Sequence, residues 1–349
     1  MGCLCESKNE LKAIAEQNTK KDLPTNHDSK KNNFSKTNLK TNTKANSKTN
    51  SKTTQINNKI NSKNPPLPEE FGSSKNDEKL KLEKYEIKYN KLIGKGGFGK
   101  VYLATEKISN KNLAIKIEQE NTKNNFSYLL NEFKIYQKLK GYNHIPKIYD
   151  CFKSDNKNYL VMEILGSSLD SIFKKYNKKF SLTTVLNIGL QIIDILEYIH
   201  SKNIIHRDLK PDCFLVGNIN KAKINIIDFG FASNFIDPKL GLPYPLKTDS
   251  FVGNYKFTSF NSIVFGYNKS RRDDIESLAY ILIYFLKGSL PWENKKDKTE
   301  IQNIRRQISI DMLCTDIPLE IKSFLSYSWK LKFFEKPDYN YLRNIINYY

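Results

Sequence analysis

Acidic residues are missing from the longest polar stretch of this 349-residue sequence: residues 29–64 carry nine lysines and neither aspartate nor glutamate. Aromatics are equally scarce there, since residues 1–80 contain only Phe34 and Phe71 while the whole chain has 20 Tyr and 20 Phe. A segment with so little to bury cannot offset its ordering entropy and is expected to be disordered. Lys36, Lys40, Lys44, Lys48 and Lys52 would share one helical face, but the Asn, Thr and Ser between them are poor helix formers. "NPPLPEEFG" at Asn64–Gly72 reads as a linker. Residues 1–82 are therefore assigned to tail and linker, and residues 83–349 to a folded domain large enough to bury a core.

Cysteine is also sparse. Five isolated residues, an odd number, exclude a disulfide framework and a zinc pattern, and fit a reducing compartment, cytoplasmic with the nucleus left open. The longest apolar run, Leu278–Leu286, is nine residues, too short to cross a bilayer. Lys8 and Glu10 interrupt any secretory leader. A soluble or tethered monomer is expected. The tether would be the start, "MGCLCESK": Gly2 is a myristate acceptor and Cys3 and Cys5 are palmitate acceptors, although Glu6 stands where the myristoylation pattern prefers Ser or Thr. Acyl chains together with the lysine run would hold the chain on an anionic membrane.

The formal net charge of +20 points to acidic partners, although simple abundance of lysine and asparagine also produces it. Nucleic acid is not the expected partner, because no aromatics interleave the tail lysines to stack on bases.

What the sequence does contain begins at Tyr85. "YEIKYNKLIG", "KVYLATEK" and "NLAIKIEQ" are short β-type runs separated by turn residues. A helical pattern follows over Asn125–Lys140, then the apolar run "NYLVMEIL". Beyond Gly166 the pattern is mostly helical. Leu182, Val185, Leu186, Ile193, Leu196 and Ile199 recur at helical spacing. The outline is α+β: a small sheet-rich lobe over residues 83–164, then a larger helical lobe over 165–349.

Gly94, Gly96 and Gly99 form G-x-G-x-x-G, followed by Val101. A dinucleotide-binding turn shares that string but leads into a helix, whereas "KVYLAT" continues as a strand. Seventeen residues after Gly99, Lys116 stands in "LAIK"; a lysine centred in an apolar strand needs an anionic partner, and Glu132 on the next helix is the natural one. "HRDLKPDCF" supplies Asp208, to accept a substrate hydroxyl's proton, and Lys210, to stabilise a moving phosphoryl group. Asp228 opens "DFG" at a strand end and suits a magnesium ion bridging phosphates. Asp208 and Asp228 are 20 residues apart, enough for a hairpin that brings both to one cleft.

These strings, in this order, resemble a protein kinase. "EILGSSLDSIF" (Glu163–Phe173), "SRRDDIESLAYILIYFLKGSLPW" (Ser270–Trp292), "EKPDYNYLRNII" (Glu335–Ile346) and Ser259-Phe260-Asn261 in place of A-P-E resemble, more narrowly, the casein kinase 1 family of serine/threonine protein kinases. The resemblance covers about residues 85–349. It implies a two-lobed protein kinase fold that transfers the ATP γ-phosphate to acidic or pre-phosphorylated proteins. ATP would lie against Gly94, Gly96, Gly99, Val101, Ala114 and Lys116, with Met162, Glu163 and Leu165 at the hinge and Mg2+ on Asp228.

Three residues depart from the family. Cys213 replaces the metal-binding asparagine, Asn254 a threonine, and Lys256 an arginine that binds substrate phosphate. Lys247, Lys295, Lys296, Arg305 and Arg306 are candidates for a basic surface. A thiol is soft and usually neutral, whereas magnesium wants hard oxygen. Losing one preorganised contact costs about 3–4 kcal/mol, which slows transfer without abolishing ATP binding. The rival reading is a pseudokinase scaffold that binds ATP or partner proteins.

Overall fold

The computed structural model describes residues 75–97, 99–120, 126–246 and 251–347, with side chains described from residue 79. Expected tail disorder before residue 75, the acylation candidates Gly2, Cys3 and Cys5, and Lys247 lie outside the described residues.

A short helix, α1 (Lys75–Glu83), precedes the first strand. It ends at the boundary expected at residue 83. "KNDEKLKLE" has weak apolar periodicity and reads as linker, but Leu82 packs beside Ile87 and Ile117 on a cluster around Tyr85. A tertiary contact, not local propensity, makes this helix.

Five strands follow: β1 (Tyr85–Gly96), β2 (Gly99–Glu106), β3 (Lys111–Gln119), β4 (Ile148–Ser154) and β5 (Lys157–Glu163). They form one antiparallel sheet in the order β1-β2-β3-β5-β4. β4 and β5 are joined by Asp155 and Asn156 alone, with φ of 48° and 56°, the left-handed pair that a two-residue hairpin of native twist demands. Between β3 and β4 lies α2 (Tyr128–Lys138), narrower than the expected 125–140. Ser127 is extended and its hydroxyl caps Leu130 N–H, so the helix starts there.

Strand alternation places chemistry on one face of β3. Leu113 and Ile115 point to the cluster with Tyr85, Phe152 and Tyr159. Ala114 faces the main core, and Lys116 shares its parity, so a period of two aims the lysine toward the lobe below.

That lobe comprises α3 (Leu169–Lys175), α4 (Leu182–Ser201), the strand pairs β6 (Ile204–Ile205) with β9 (Ser233–Asn234) and β7 (Phe214–Val216) with β8 (Ile224–Ile226), then α5 (Phe260–Phe265), α6 (Arg271–Lys287), α7 (Lys298–Gln307), α8 (Ile310–Leu313), α9 (Leu319–Lys330) and α10 (Tyr339–Ile346). α6 is its axis. Every residue from Arg272 to Phe285 is buried, a capping box of Ser270 and Asp273 starts the helix, and Gly288 at φ 85° ends it. α4 is long and apolar enough to cross a membrane by composition, but its apolar face is built into this core.

Candidate active site

The cleft between the lobes collects the charged residues. Lys116 Nζ lies 2.6 Å from Glu132 Oε2 and 3.0 Å from Asp228 Oδ1, so β3, α2 and the segment after β8 converge on one ammonium. Burial pushes Lys116 toward neutrality, but Glu132 and Asp228 outweigh it and raise its pKa. Burial likewise opposes ionisation of Asp228, and Lys116 and Lys210 overcome it, holding the carboxyl at about 2. Tyr136 donates to the second Glu132 oxygen at 3.1 Å. Asn131, which carried no signal in the sequence, donates to Gly230 O and Ala232 O, each at 3.0 Å, and so ties α2 to the Asp228 segment. Phe229 packs between Tyr136 and the His206 ring.

The glycine loop is the β1–β2 turn, with Gly96 opposite Gly99 and Gly94 opposite Val101. Gly99 has φ 145°, and a Cβ there would lie 2.2 Å from Ile117 O, so no side chain is tolerated. A Cβ at Gly96 would meet nothing within 4 Å, leaving open space where phosphate oxygens could approach the backbone. Val101 pairs with Lys116 across β2–β3, and Ala114 with Met162 across β3–β5. Val101, Ala114 and Met162 all pack on the main core, the side toward which Lys116 points by strand parity. Glu163 differs: its N–H donates to Lys147 O at 2.8 Å and its carboxylate accepts from Lys147 N at 3.1 Å, so it braces the strand edge. Leu165 lies in the irregular chain leading into α3.

The loop from β6 to β7 carries the other carboxylate. Lys210 Nζ is 2.6 Å from Asp208 Oδ2 and 3.6 Å from Asp228 Oδ2. Asp208 Oδ1 accepts twice from Asn254, from the backbone N–H at 2.6 Å and from Nδ2 at 2.8 Å. The same amide donates to Leu209 O at 3.1 Å and accepts Phe257 N–H at 2.7 Å. Asn254 thus fills its position with three side-chain bonds. Cys213 is fully buried, and its Sγ–H points to Asp208 O at 3.4 Å. Burial pushes this thiol well above its ordinary pKa, so it stays neutral and bonds the loop. It makes no hard metal ligand.

Sequence reasoning quoted Asp274 only as part of a family string. The structure places it fully inside, accepting His206 N–H at 2.8 Å and Arg207 N–H at 3.0 Å, with His200 Nε2 at 2.9 Å. Acidic residues are ordinary in a first helical turn, so the string alone did not mark Asp274; once buried, its carboxylate must find donors. Arg207 and Asp228 have left-handed backbones, φ 73° and 71°, strain that such contacts hold in place.

The expected basic surface is partly dismantled. Arg305 is buried between the Tyr280 and Trp292 rings, donates to Thr258 O and lies 3.6 Å from Glu276. It faces inward on α7 and is a core residue. Lys256 is bonded to Glu293 at 2.6 Å with its ammonium 3.7 Å from the Tyr284 ring centroid, so it is not a free phosphate-binding cation. Lys295 pairs with Glu300, while Lys296 and Arg306 are exposed.

A two-lobed fold whose cleft joins a strand lysine, a helix glutamate and two loop aspartates under a glycine turn is the architecture of an ATP-dependent phosphotransferase. A family model described as the protein kinase domain matches residues 87–336. The chain belongs to the protein kinase family.

The donor set fits what kinases in general use, ATP and a divalent cation. Lys116 and the open glycine turn suit phosphates, and Asp228 offers carboxylate oxygens. Among the described residues no group of three or more His, Cys, Asp or Glu could hold a metal. A cation here would share its coordination between Asp228 and the phosphates.

Proposed function

We propose that this kinase transfers the γ-phosphoryl group of ATP to serine or threonine in acidic proteins, in the manner of the casein kinase 1 family that its sequence resembles. The observation carrying the reading is that Asp208 is held on both oxygens, by Lys210 and by Asn254, beside a formed Lys116–Glu132 pair. Asp208 would orient the acceptor hydroxyl and take its proton. Lys210 would follow the phosphoryl group, and Lys116 would hold the phosphate oxygens. Mg2+ on Asp228, when bound, would neutralise charge on those phosphates. The exposed Lys296 and Arg306, with the net charge of +20, support acidic over basic substrates. Pre-phosphorylated substrates have weaker support, because Lys256 is occupied by Glu293.

A second reading, a scaffold without transfer, is favoured by the neutral, inward-facing Cys213. Purified full-length protein with ATP, Mg2+ and casein separates the two. Slow transfer is expected, and Asp208→Asn should lower it by about 10²–10⁴-fold. Folded, ATP-binding wild type that never exceeds the Asp208→Asn background, with magnesium or manganese, would leave the scaffold reading.

A further inference from the structure

We propose that Lys269 is a positioning residue for phosphoryl transfer: seated behind the catalytic loop, its ammonium grips the Arg207 carbonyl and sets the charge facing Asp208. This rests on the reading of the cleft as an active one.

Lys269 lies just before α6 and is 6% exposed. A buried lysine usually has a carboxylate partner, yet this Nζ donates at 2.7 Å to a carbonyl, Arg207 O. The neighbouring Arg207 N–H goes to Asp274 on α6. The start of α6 and the residue just before its cap therefore hold both ends of a residue whose φ is 73°, a conformation that an arginine does not keep without support. Gly253 completes the arrangement. At φ 100°, a Cβ built on it would lie 2.6 Å from Arg207 O, 2.9 Å from Lys269 Nζ and 3.1 Å from Asp208 Oδ1. The glycine leaves the gap through which ammonium and carboxylate face each other, separated by no more than the sum of the last two distances. Phe251 covers the ammonium from the same segment, its ring centroid 5.3 Å away.

The grip is charge-dependent. Burial lowers the Lys269 pKa to about 8, against the opposing pull of Asp208, Asp273 and Asp274, while Arg207 adds to the lowering. A cavity of about 180 Å³ has Arg207, Tyr244, Asn268 and Lys269 among its lining residues, which places space for water beside this lysine. The signs follow. Protonated Lys269 is the gripping form, so transfer falls as pH rises through about 8. Stability moves the other way. The folded state releases this proton at about 8 and the unfolded chain near 10.5, so the folded form gains relative stability across that window.

The test is the pH profile of transfer from pH 6 to 10 for wild type, Lys269→Gln and Lys269→Arg, with hydrogen exchange of the loop peptide over residues 204–210 taken relative to the intrinsic base-catalysed amide rate at each pH. Melting curves and ATP binding confirm that each variant is folded. Wild type should lose transfer above a midpoint near pH 8. Lys269→Gln should have kcat about tenfold lower at pH 7, unchanged KM for ATP and no such midpoint. Lys269→Arg, permanently charged, should keep its activity past pH 9. Loop exchange should quicken above pH 8 in wild type and at every pH in Lys269→Gln. Three superimposable profiles with unchanged exchange would overturn the proposal. Wild type inactive at every pH would instead defeat the reading of the site as active. Loop exchange then decides for Lys269: quickening above pH 8 in wild type but not in Lys269→Arg upholds the grip, and equal exchange overturns it.

Discussion

The two sides of the cleft hold their carboxylates by different means. On the nucleotide side, Glu132 and Asp228 share the buried Lys116 ammonium. On the acceptor side, Asp208 has Lys210 on one oxygen, but the other rests on two amide N–H groups of Asn254, and Cys213 and Lys269 hold the loop through carbonyl oxygens. Charge-held and amide-held sites differ in tolerance. One partner of a buried ion pair cannot be replaced alone by a neutral group, because the remaining charge is stranded. An amide bond can be remade by another donor, as Asn254 does where the resembled family has threonine. Of the three residues that depart from that family, Cys213 and Asn254 fall on the amide-held side, while Lys256 lies apart, paired with Glu293.

The sharpest way to break this comparison is Lys116→Met. It should take transfer to background, at least about a hundredfold, and strand the buried Glu132 carboxylate, while Asp228 keeps Lys210 at 3.6 Å. Separating such a pair costs about 3–5 kcal/mol, and a fall in Tm of about 10 °C is expected for a domain of this size. Adding Glu132→Gln should recover part of the stability and none of the transfer. A Lys116→Met protein that melts like wild type and still transfers phosphate would remove the distinction between the two sides.

Cys213→Asn is the next largest. An asparagine amide there can replace the Sγ–H bond to Asp208 O while its carbonyl oxygen adds the hard ligand that magnesium prefers. Turnover should rise by tens- to a few hundredfold, most at low magnesium, with ATP affinity little changed. No gain in a folded variant would mean that the second metal ligand does not limit this enzyme.

How much of this was legible follows the same division. Lys116 and Asp228 were read from charge in or beside an apolar strand, and Glu132, Asp208 and Lys210 from the strings around them; the structure brings the five side chains into ion-pair range of one another. The two lobes and the sheet were visible because alternation and turn residues are local signals. Asp274, Asn131 and Lys269 were not read as site residues. Their partners, mostly backbone N–H and C=O groups with the His200 ring beside Asp274, are brought near only by the fold, and no spacing encodes such bonds. Arg305 misled for a related reason. Its charge suggested surface, while its cage of Tyr280, Trp292 and Glu276 comes from another helix and the turn beyond it. The helix Lys75–Glu83 was not read because its apolar periodicity is weak, while its support, including Leu82 on the Tyr85 cluster, is tertiary.

Asn254→Ala gives the smallest effect and the finest test of amide-held tolerance. The backbone N–H to Asp208 Oδ1 survives, so the carboxylate keeps one of its two bonds on that oxygen. Three side-chain bonds go, to Asp208, to Leu209 O and from Phe257 N–H. Asp208 is buried, so the lost bond to its carboxylate should cost about 1.5–3 kcal/mol in transfer, a ten- to hundredfold fall in kcat. KM for ATP should hold, because Asn254 touches nothing on the nucleotide side. Asn254→Thr keeps one donor and should recover most of the rate. If Asn254→Ala instead loses transfer as completely as Lys116→Met, the acceptor side is as intolerant as the other. If Asn254→Thr is no better than Asn254→Ala, the site depends on the full amide of Asn254, and its donors are not interchangeable.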